Sequence, residues 1–312
     1  MNSKKANRLF LSVVLLHFVL IAILIAGSQF FSLEIIGNLL ASQMVILAPA
    51  LIVILFGKEK IKLCDLGFCK IKISTAFLVV VYTLLCMPLV TVVNAISMLF
   101  VDNTVAALSS DILAVPFPMA LFMIAIFGPF SEEFVFRGII FNSYRKDGNA
   151  LGAILLSALV FGFMHMNLNQ ALYAFAIGVL LALLLEATNS IWPTIVFHFI
   201  YNAQSCCLMY FVEELVPGFY SDPANVAAVT ETASLYSMIA AYIIIAAIFT
   251  PLAICMLYKI AKNEGRVEQL KETLPGKREG KARIATVSFW VATVLAVGFI
   301  VYDILLSYGI LA

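Results

Sequence analysis

Residues 127–138 read Phe127-Gly128-Pro129-Phe130-Ser131-Glu132-Glu133-Phe134-Val135-Phe136-Arg137-Gly138. They set two glutamates and an arginine inside a run, 114–144, that is otherwise apolar and long enough to cross a bilayer. A charge at that depth costs at least ~2.5–3.5 kcal/mol on insertion scales, so such groups are usually paired and usually functional. On a regular helix Arg137 lies about 40° from Glu133 but about 140° from Glu132. Glu133 and Arg137 are therefore expected to form an i,i+4 ion pair, leaving Glu132 directed at another helix and better placed for chemistry. Pro129 lacks a backbone donor and crowds the preceding turn, which predicts a kink or break just ahead of the glutamates.

Outward from this segment, spanning-length apolar stretches recur at 9–31, 34–56, 74–100, 150–166, 169–188, 191–212, 236–258 and 284–308. With 114–144 they predict an all-α polytopic transmembrane helical bundle of nine helices, with eight as the alternative count. The fifth and sixth are short and meet at Met166-Asn167-Leu168-Asn169. Composition agrees: 63% of the 312 residues are hydrophobic and 12% charged, with a mean hydropathy of +1.06. That excludes a soluble globular domain. A net charge of +1 offers no basic field for nucleic acid. Cys64, Cys69, Cys86, Cys206, Cys207 and Cys255 show neither zinc spacing nor a disulfide framework and are read as packing residues. The basic start, Met1 to Arg8, followed by 9–31, is read as an uncleaved first span rather than a signal peptide.

Lysine and arginine concentrate in cytoplasmic loops, which gives a test of the count. Lys4, Lys5 and Arg8 precede the first helix, and Lys58, Lys60, Lys62, Lys70 and Lys72 lie between the second and third. Arg145 and Lys146 follow the fourth, while Lys259, Lys262, Arg266, Lys271, Lys277, Arg278, Lys281 and Arg283 follow the eighth. Nine alternating helices put all of these on one side. The opposite loops carry Asp102, Asp111, Glu213, Glu214, Asp222 and Glu231 without a lysine or arginine. The N-terminus is thus expected in the cytoplasm and the C-terminus outside. The chain divides into three N-terminal helices (1–113), a core of four carrying the charged segment (114–212), and two C-terminal helices (213–312) joined by a basic loop at 259–283.

Two further polar pairs lie in the core. Phe161 and His165 share a face of the fifth helix, as His198 and Asn202 do on the seventh. His17, in the first helix, is read as structural. As an ordered set, Glu132-Glu133-x-x-x-Arg137, Phe161-x-x-x-His165 and His198-x-x-x-Asn202 resemble the CPBP family, the CAAX-protease and bacteriocin-processing (Abi) intramembrane proteases. Pro129, Phe136-Arg137-Gly138 and Asn189-Ser190-Ile191-Trp192-Pro193 are similar to that family as well, so the likeness covers roughly 125–205.

The resemblance implies an intramembrane endopeptidase of a bacterial cell membrane, acting on a membrane-associated or lipid-modified peptide. Glu132 with His165 would deprotonate a water, His198 and Asn202 would stabilise the oxyanion, and Glu133 with Arg137 would hold the helix and its charge in place. Alternatively Glu132, His165 and His198 would form a His₂Glu zinc site, since the family is described both as metalloprotease and as metal-independent glutamate protease. Expected partners are membrane lipids and the peptide or lipidated-protein substrate, and no nucleic acid. The rival readings are a non-catalytic immunity or scaffold protein of the same fold, and a transporter, which would be expected to show two similar halves; no such internal similarity is evident.

Overall fold

The computed structural model describes residues 1–30, 32–57, 61–222, 224–225, 232–274 and 284–311. Lys58, Lys60, Glu231, Lys277, Arg278, Lys281 and Arg283, used above for topology, lie outside the described residues. Among the described residues nine principal helices follow the hydropathy: α1 Ser3–Gly27, α2 Ile35–Phe56, α3 Ile73–Ser97, α4 Phe117–Asp147, α5 Ala150–Phe163, α6 Leu168–Thr188, α7 Ile191–Leu215, α8 Thr232–Glu264 and α9 Val287–Ser307. Among the described residues eight of these are long and apolar enough to cross a membrane, and α5 is the ninth, shorter one. The chain is an integral, multi-pass membrane protein.

The two counts expected from the sequence meet in α5. Its 14 residues rise only about 21 Å, against a hydrocarbon core of about 30 Å. It is followed by a non-helical turn in which Met166 adopts a left-handed conformation at φ 54°. Such backbone is tolerated at depth only where it faces protein or a cavity rather than lipid. The turn is fixed by Asn167, whose side chain caps α6 at Gln170 N (2.8 Å) and donates to the His165 carbonyl (2.8 Å). Asn169, one residue into the helix, donates to Asn94 and Ser97 at the end of α3, each at 2.8 Å.

α4 shows the distortion that Pro129 predicts, in a particular form. The turn Gly128–Glu133 is α-helical, but it is flanked by π-helical stretches, Phe122–Phe127 and Phe134–Phe141. The wider turns absorb the missing proline donor and rotate the following residues, a feature frequent at functional sites.

α6 occupies the middle of the bundle, packed by α3, α5, α7 and α8, while α1 packs on α2, α4 and α9. Glycines set the closest approach. A Cβ on Gly178 of α6 would sit 2.9 Å from both Cα and Cβ of Ala158 on α5, and one on Gly162 would meet the Ala171 carbonyl at 2.6 Å. Apolar side chains on α8 such as Ile244, Ile248, Leu252 and Ile254 stay exposed, as a lipid-facing surface requires.

The helix ends expected on the basic side do gather together. Asp147, ending α4, accepts from Ser3 N (2.7 Å) at the start of α1, and Asn7 donates to the Ile284 carbonyl (2.8 Å) ahead of α9. Glu264, ending α8, accepts from Lys72 N (3.1 Å) at the start of α3. Buried Glu186, near the end of α6, pairs with Arg145 Nε at 2.6 Å, and Arg145 also meets Glu272. Arg266 donates to the Glu186 carbonyl at 2.9 Å. Arg145 and Arg266 are thus structural clasps as well as topology markers.

One expectation about cysteine is corrected here: Cys64 and Cys69 form a disulfide. Spacing alone did not suggest it, because the pairing depends on the chain reversing at Gly67, which has φ 81°. The closed loop docks on the start of α7, where Ile191 N donates to the Gly67 carbonyl (2.8 Å) and Ser190 Oγ to the Cys69 carbonyl (2.7 Å). Cys86 and Cys206 are buried as expected, whereas Cys207 and Cys255 are exposed.

Candidate active site

The polar residues of α4 and α7 converge. Arg137 Nη1 lies 3.2 Å from Glu133 Oε1, forming the expected i,i+4 pair, and both side chains are buried at 1% and 0% exposure. Arg137 is held on three sides, because Nη2 donates to the Gly178 carbonyl of α6 (3.3 Å) and the guanidinium lies 4.3 Å over the Phe161 ring of α5. The close approach that Gly178 permits is what brings its carbonyl within reach.

His198 of α7 places Nδ1 3.0 Å from the same Glu133 oxygen, and its Nε2 faces Glu132 Oε2 at 3.8 Å. It therefore lies between the two glutamates. An ionised carboxylate only accepts, so Nδ1 carries the proton; a neutral His198 then presents Nε2 as a bare lone pair. The same holds for His165, whose Nδ1 donates to the Phe161 carbonyl at 3.1 Å. Phe161 stands edge-on to both imidazoles, 5.2 Å from His165 and 5.9 Å from His198 between centroids. It fixes the two rings and the guanidinium together.

Glu132 takes a different partner from Glu133, as the helical angles suggest. Its Oε1 accepts from Gln43 Nε2 of α2 at 2.9 Å, and 14% of its side chain stays accessible where Glu133 has none. Gln43 was not singled out in the sequence. The available signal was a carboxamide in the middle of an apolar span, which must find a partner at that depth.

A further departure concerns His165. His165 is not on the fifth helix: α5 ends at Phe163, and His165 sits in the turn beyond it, its side chain bonding back to the last helical turn. It lies in electrostatic range of Glu132 and His198. Asn202 is one turn beyond His198, and its Nδ2 donates to the Ile124 carbonyl (2.9 Å) in the first π-helical stretch of α4. One N–H of that amide is left for another acceptor. His17 bonds its own-turn Val13 carbonyl at 3.1 Å and also lies in electrostatic range of His165.

The lone pairs on His165 and His198, with the Glu132 carboxylate, are the chemical types a zinc site needs. The arrangement is less suited. Among the described residues no three His, Cys, Asp or Glu side chains are grouped closely enough to hold a metal ion. Glu132 is also engaged by Gln43.

The Cys64–Cys69 loop reaches the edge of this site. Phe68 packs against Phe130 and Phe134, which flank the glutamates in sequence, with centroids 6.4 and 6.2 Å away, and against Trp192 at 5.5 Å.

Residues 114–204 match a protein family described as "Type II CAAX prenyl endopeptidase Rce1-like". This segment is similar to that family. The match takes in Glu132, Glu133, Arg137, His165, His198 and Asn202, and leaves out Gln43, which meets Glu132 from α2. Among curated proteins the chain is 35% identical over 85 residues to the "Putative membrane peptidase YdiL" of Bacillus subtilis, covering 27% of this chain and 35% of that protein. It is 30% identical over 97 residues to the "Membrane-embedded CAAX protease MroQ" of Staphylococcus aureus, covering 29% and 39%. The matches thus span under two fifths of the length of either relative. No solved structure matches the chain.

Proposed function

We propose that this protein is an intramembrane endopeptidase that hydrolyses a peptide bond in a membrane-associated or lipid-modified peptide, using a water activated by Glu132. The observation that carries the reading is His198 set between two glutamates with different environments. One is sealed and neutralised by Arg137, the other accessible and held by a neutral amide. The names of the two relatives, a peptidase and a CAAX protease, support the reaction class.

In this mechanism Glu132 accepts a proton from water as the oxygen attacks the scissile carbonyl, and returns it to the departing amine nitrogen. His165 Nε2 accepts a hydrogen bond from the same water and orients it. Asn202 donates its remaining N–H to the oxyanion, joined by His198. Because His198 commits its Nδ1 proton to Glu133, it donates from Nε2 only when doubly protonated. Glu133 and Arg137 are positioning residues, one fixing the imidazole and the other compensating Glu133. The proposal includes a cytoplasmic N-terminus, with the basic helix ends on that side, and membrane lipids and the peptide substrate as partners.

The test is cleavage of a library of lipidated and unlipidated peptides by purified protein in nanodiscs, read by mass spectrometry. Internal cleavage by the wild type, abolished in Glu132→Gln, supports the reading. Equal cleavage by the two proteins would remove Glu132 as the base, and none by either would favour a scaffold role.

A further inference from the structure

The segment joining α2 to α3 has a structure of its own beside the polar centre. Leu63–Leu66 form one 3₁₀ turn, the chain reverses at Gly67, and the Cys64–Cys69 bridge closes the loop. Two helices hold it from outside. On α7 the contacts are the Ile191 N and Ser190 Oγ hydrogen bonds to the Gly67 and Cys69 carbonyls. On α4 the Leu66 carbonyl lies against Gly138, where a Cβ would meet it at 3.2 Å, and Phe68 packs on Phe130 and Phe134. Gly138 belongs to the π-helical stretch that follows Glu133, and Phe130 and Phe134, one turn apart, bracket both glutamates. The loop therefore braces the turn that presents Glu132. Its bridge is reachable, because Cys64 is exposed and Cys69 half-buried, whereas Cys86 and Cys206 are buried.

We propose that Cys64–Cys69 is a reversible thiol–disulfide site, exchanging with a protein dithiol, whose oxidation state sets how firmly the loop holds α4 and so sets turnover. The inference rests on the protease reading and on its cytoplasmic basic side. The loop lies at that end of the bundle, against the start of α7 and beside Asn142 near the end of α4, whose Nδ2 faces the Asp65 carbonyl at 3.5 Å. Thiols in the cytoplasm are kept reduced, and bridges that form there are usually transient, catalytic or sensing rather than structural. The exchange is balanced. A thiolate of the dithiol attacks the exposed Cys64 sulfur, the S–S bond breaks, and Cys69 leaves as a thiolate that takes a proton. The second thiol of the partner then attacks the mixed disulfide, which releases Cys64 as a protonated thiol and carries the partner away as a disulfide. Two electrons and two protons pass to this chain. Without the bridge the loop gains conformers, Phe68 loses its seat on α4, and the turn bearing Glu132 loses its brace. The bridged form is the active one.

Full-length protein carrying Cys207→Ser and Cys255→Ser, which removes the exposed free cysteines, is placed in nanodiscs and equilibrated with oxidised or reduced thioredoxin as the probe. Thiols are counted by maleimide labelling, amide protection by hydrogen exchange, and turnover with a fluorogenic membrane peptide. Reduction is expected to expose the Cys64 and Cys69 thiols together and to speed exchange at the Phe68 and Ile191 amides, which bond to the Leu63 and Gly67 carbonyls. It should also lower kcat/KM at least about tenfold, since misplacing a catalytic group by about 1 Å can cost about 100-fold. Re-oxidation restores all three. Cys64→Ser combined with Cys69→Ser reproduces the low-turnover form and does not respond to thioredoxin. A bridge that reduced thioredoxin leaves intact, or a reduced protein with unchanged exchange and turnover, would overturn the proposal. Faster exchange on reduction with no turnover in either state would support the redox site and refute the protease reading instead, so the two failures are told apart.

Discussion

Replacing Arg137 by methionine removes the cation paired with Glu133, while roughly keeping the volume of a side chain that is 1% exposed. Three contacts go together: the ion pair at 3.2 Å, the bond to the Gly178 carbonyl at 3.3 Å and the stacking over Phe161 at 4.3 Å. The dominant loss is electrostatic, because Glu133 is fully buried and its second oxygen already lacks a hydrogen bond. Breaking a buried pair from one side typically costs about 3–5 kcal/mol, and that is the destabilisation expected for Arg137→Met. Glu133→Gln in the same background removes the stranded charge while keeping an acceptor for His198. The double variant should therefore be more stable than Arg137→Met alone, with a coupling of at least ~2 kcal/mol. Unfolding of all four proteins by denaturing detergent in mixed micelles gives the cycle. A loss below about 1 kcal/mol for Arg137→Met, or strict additivity in the double variant, would refute a pair that compensates charge at depth.

Other expectations follow from the same geometry. Gln43→Leu leaves Glu132 without its amide donor, and a hydrogen bond to a charged group is worth about 1.5–3 kcal/mol; kcat should fall about 10- to 100-fold with folding retained, measured by turnover beside a thermal melt. Gly178→Ala pushes a methyl to 2.9 Å from Ala158, which should separate α5 from α6 and cost about 1–3 kcal/mol, read by the same detergent titration. Phe68→Ala removes ring packing against Phe130, Phe134 and Trp192. It should lower kcat/KM more than it lowers stability, which steady-state kinetics beside a melt would show.

Much of this arrangement was legible in the sequence because hydropathy and helical angle act locally. Every long helix falls within a few residues of an apolar run, since a spanning helix has to bury its backbone polar groups internally. The different fates of Glu132 and Glu133 follow from one rotation of about 100° per residue, and the Glu133–Arg137 pair is found where that rotation puts it. The rest depends on contacts between distant segments. Gln43 meets Glu132 across 89 residues, and periodicity in α2 says nothing about which helix it will face. Phe161 and His165 are spaced as if on one helical face, but the helix closes between them, and the histidine side chain returns to the Phe161 carbonyl instead. The Cys64–Cys69 bridge was hidden for a similar reason, since it needs the reversal at Gly67. The bearing of Glu186 on Arg145 and Arg266 shows that cations counted for topology can also be pinned by a buried carboxylate.

Cleavage of one fluorogenic membrane peptide in nanodiscs by wild type and Glu132→Gln, each with and without a strong zinc chelator, bears most directly on the claim that Glu132 activates water without a metal. Turnover by the wild type should persist in chelator and fall at least about 10³-fold in Glu132→Gln, as for loss of a general base together with its charge. Loss of wild-type turnover in chelator, restored by added zinc, would contradict the metal-free account and return Glu132, His165 and His198 to the role of ligands.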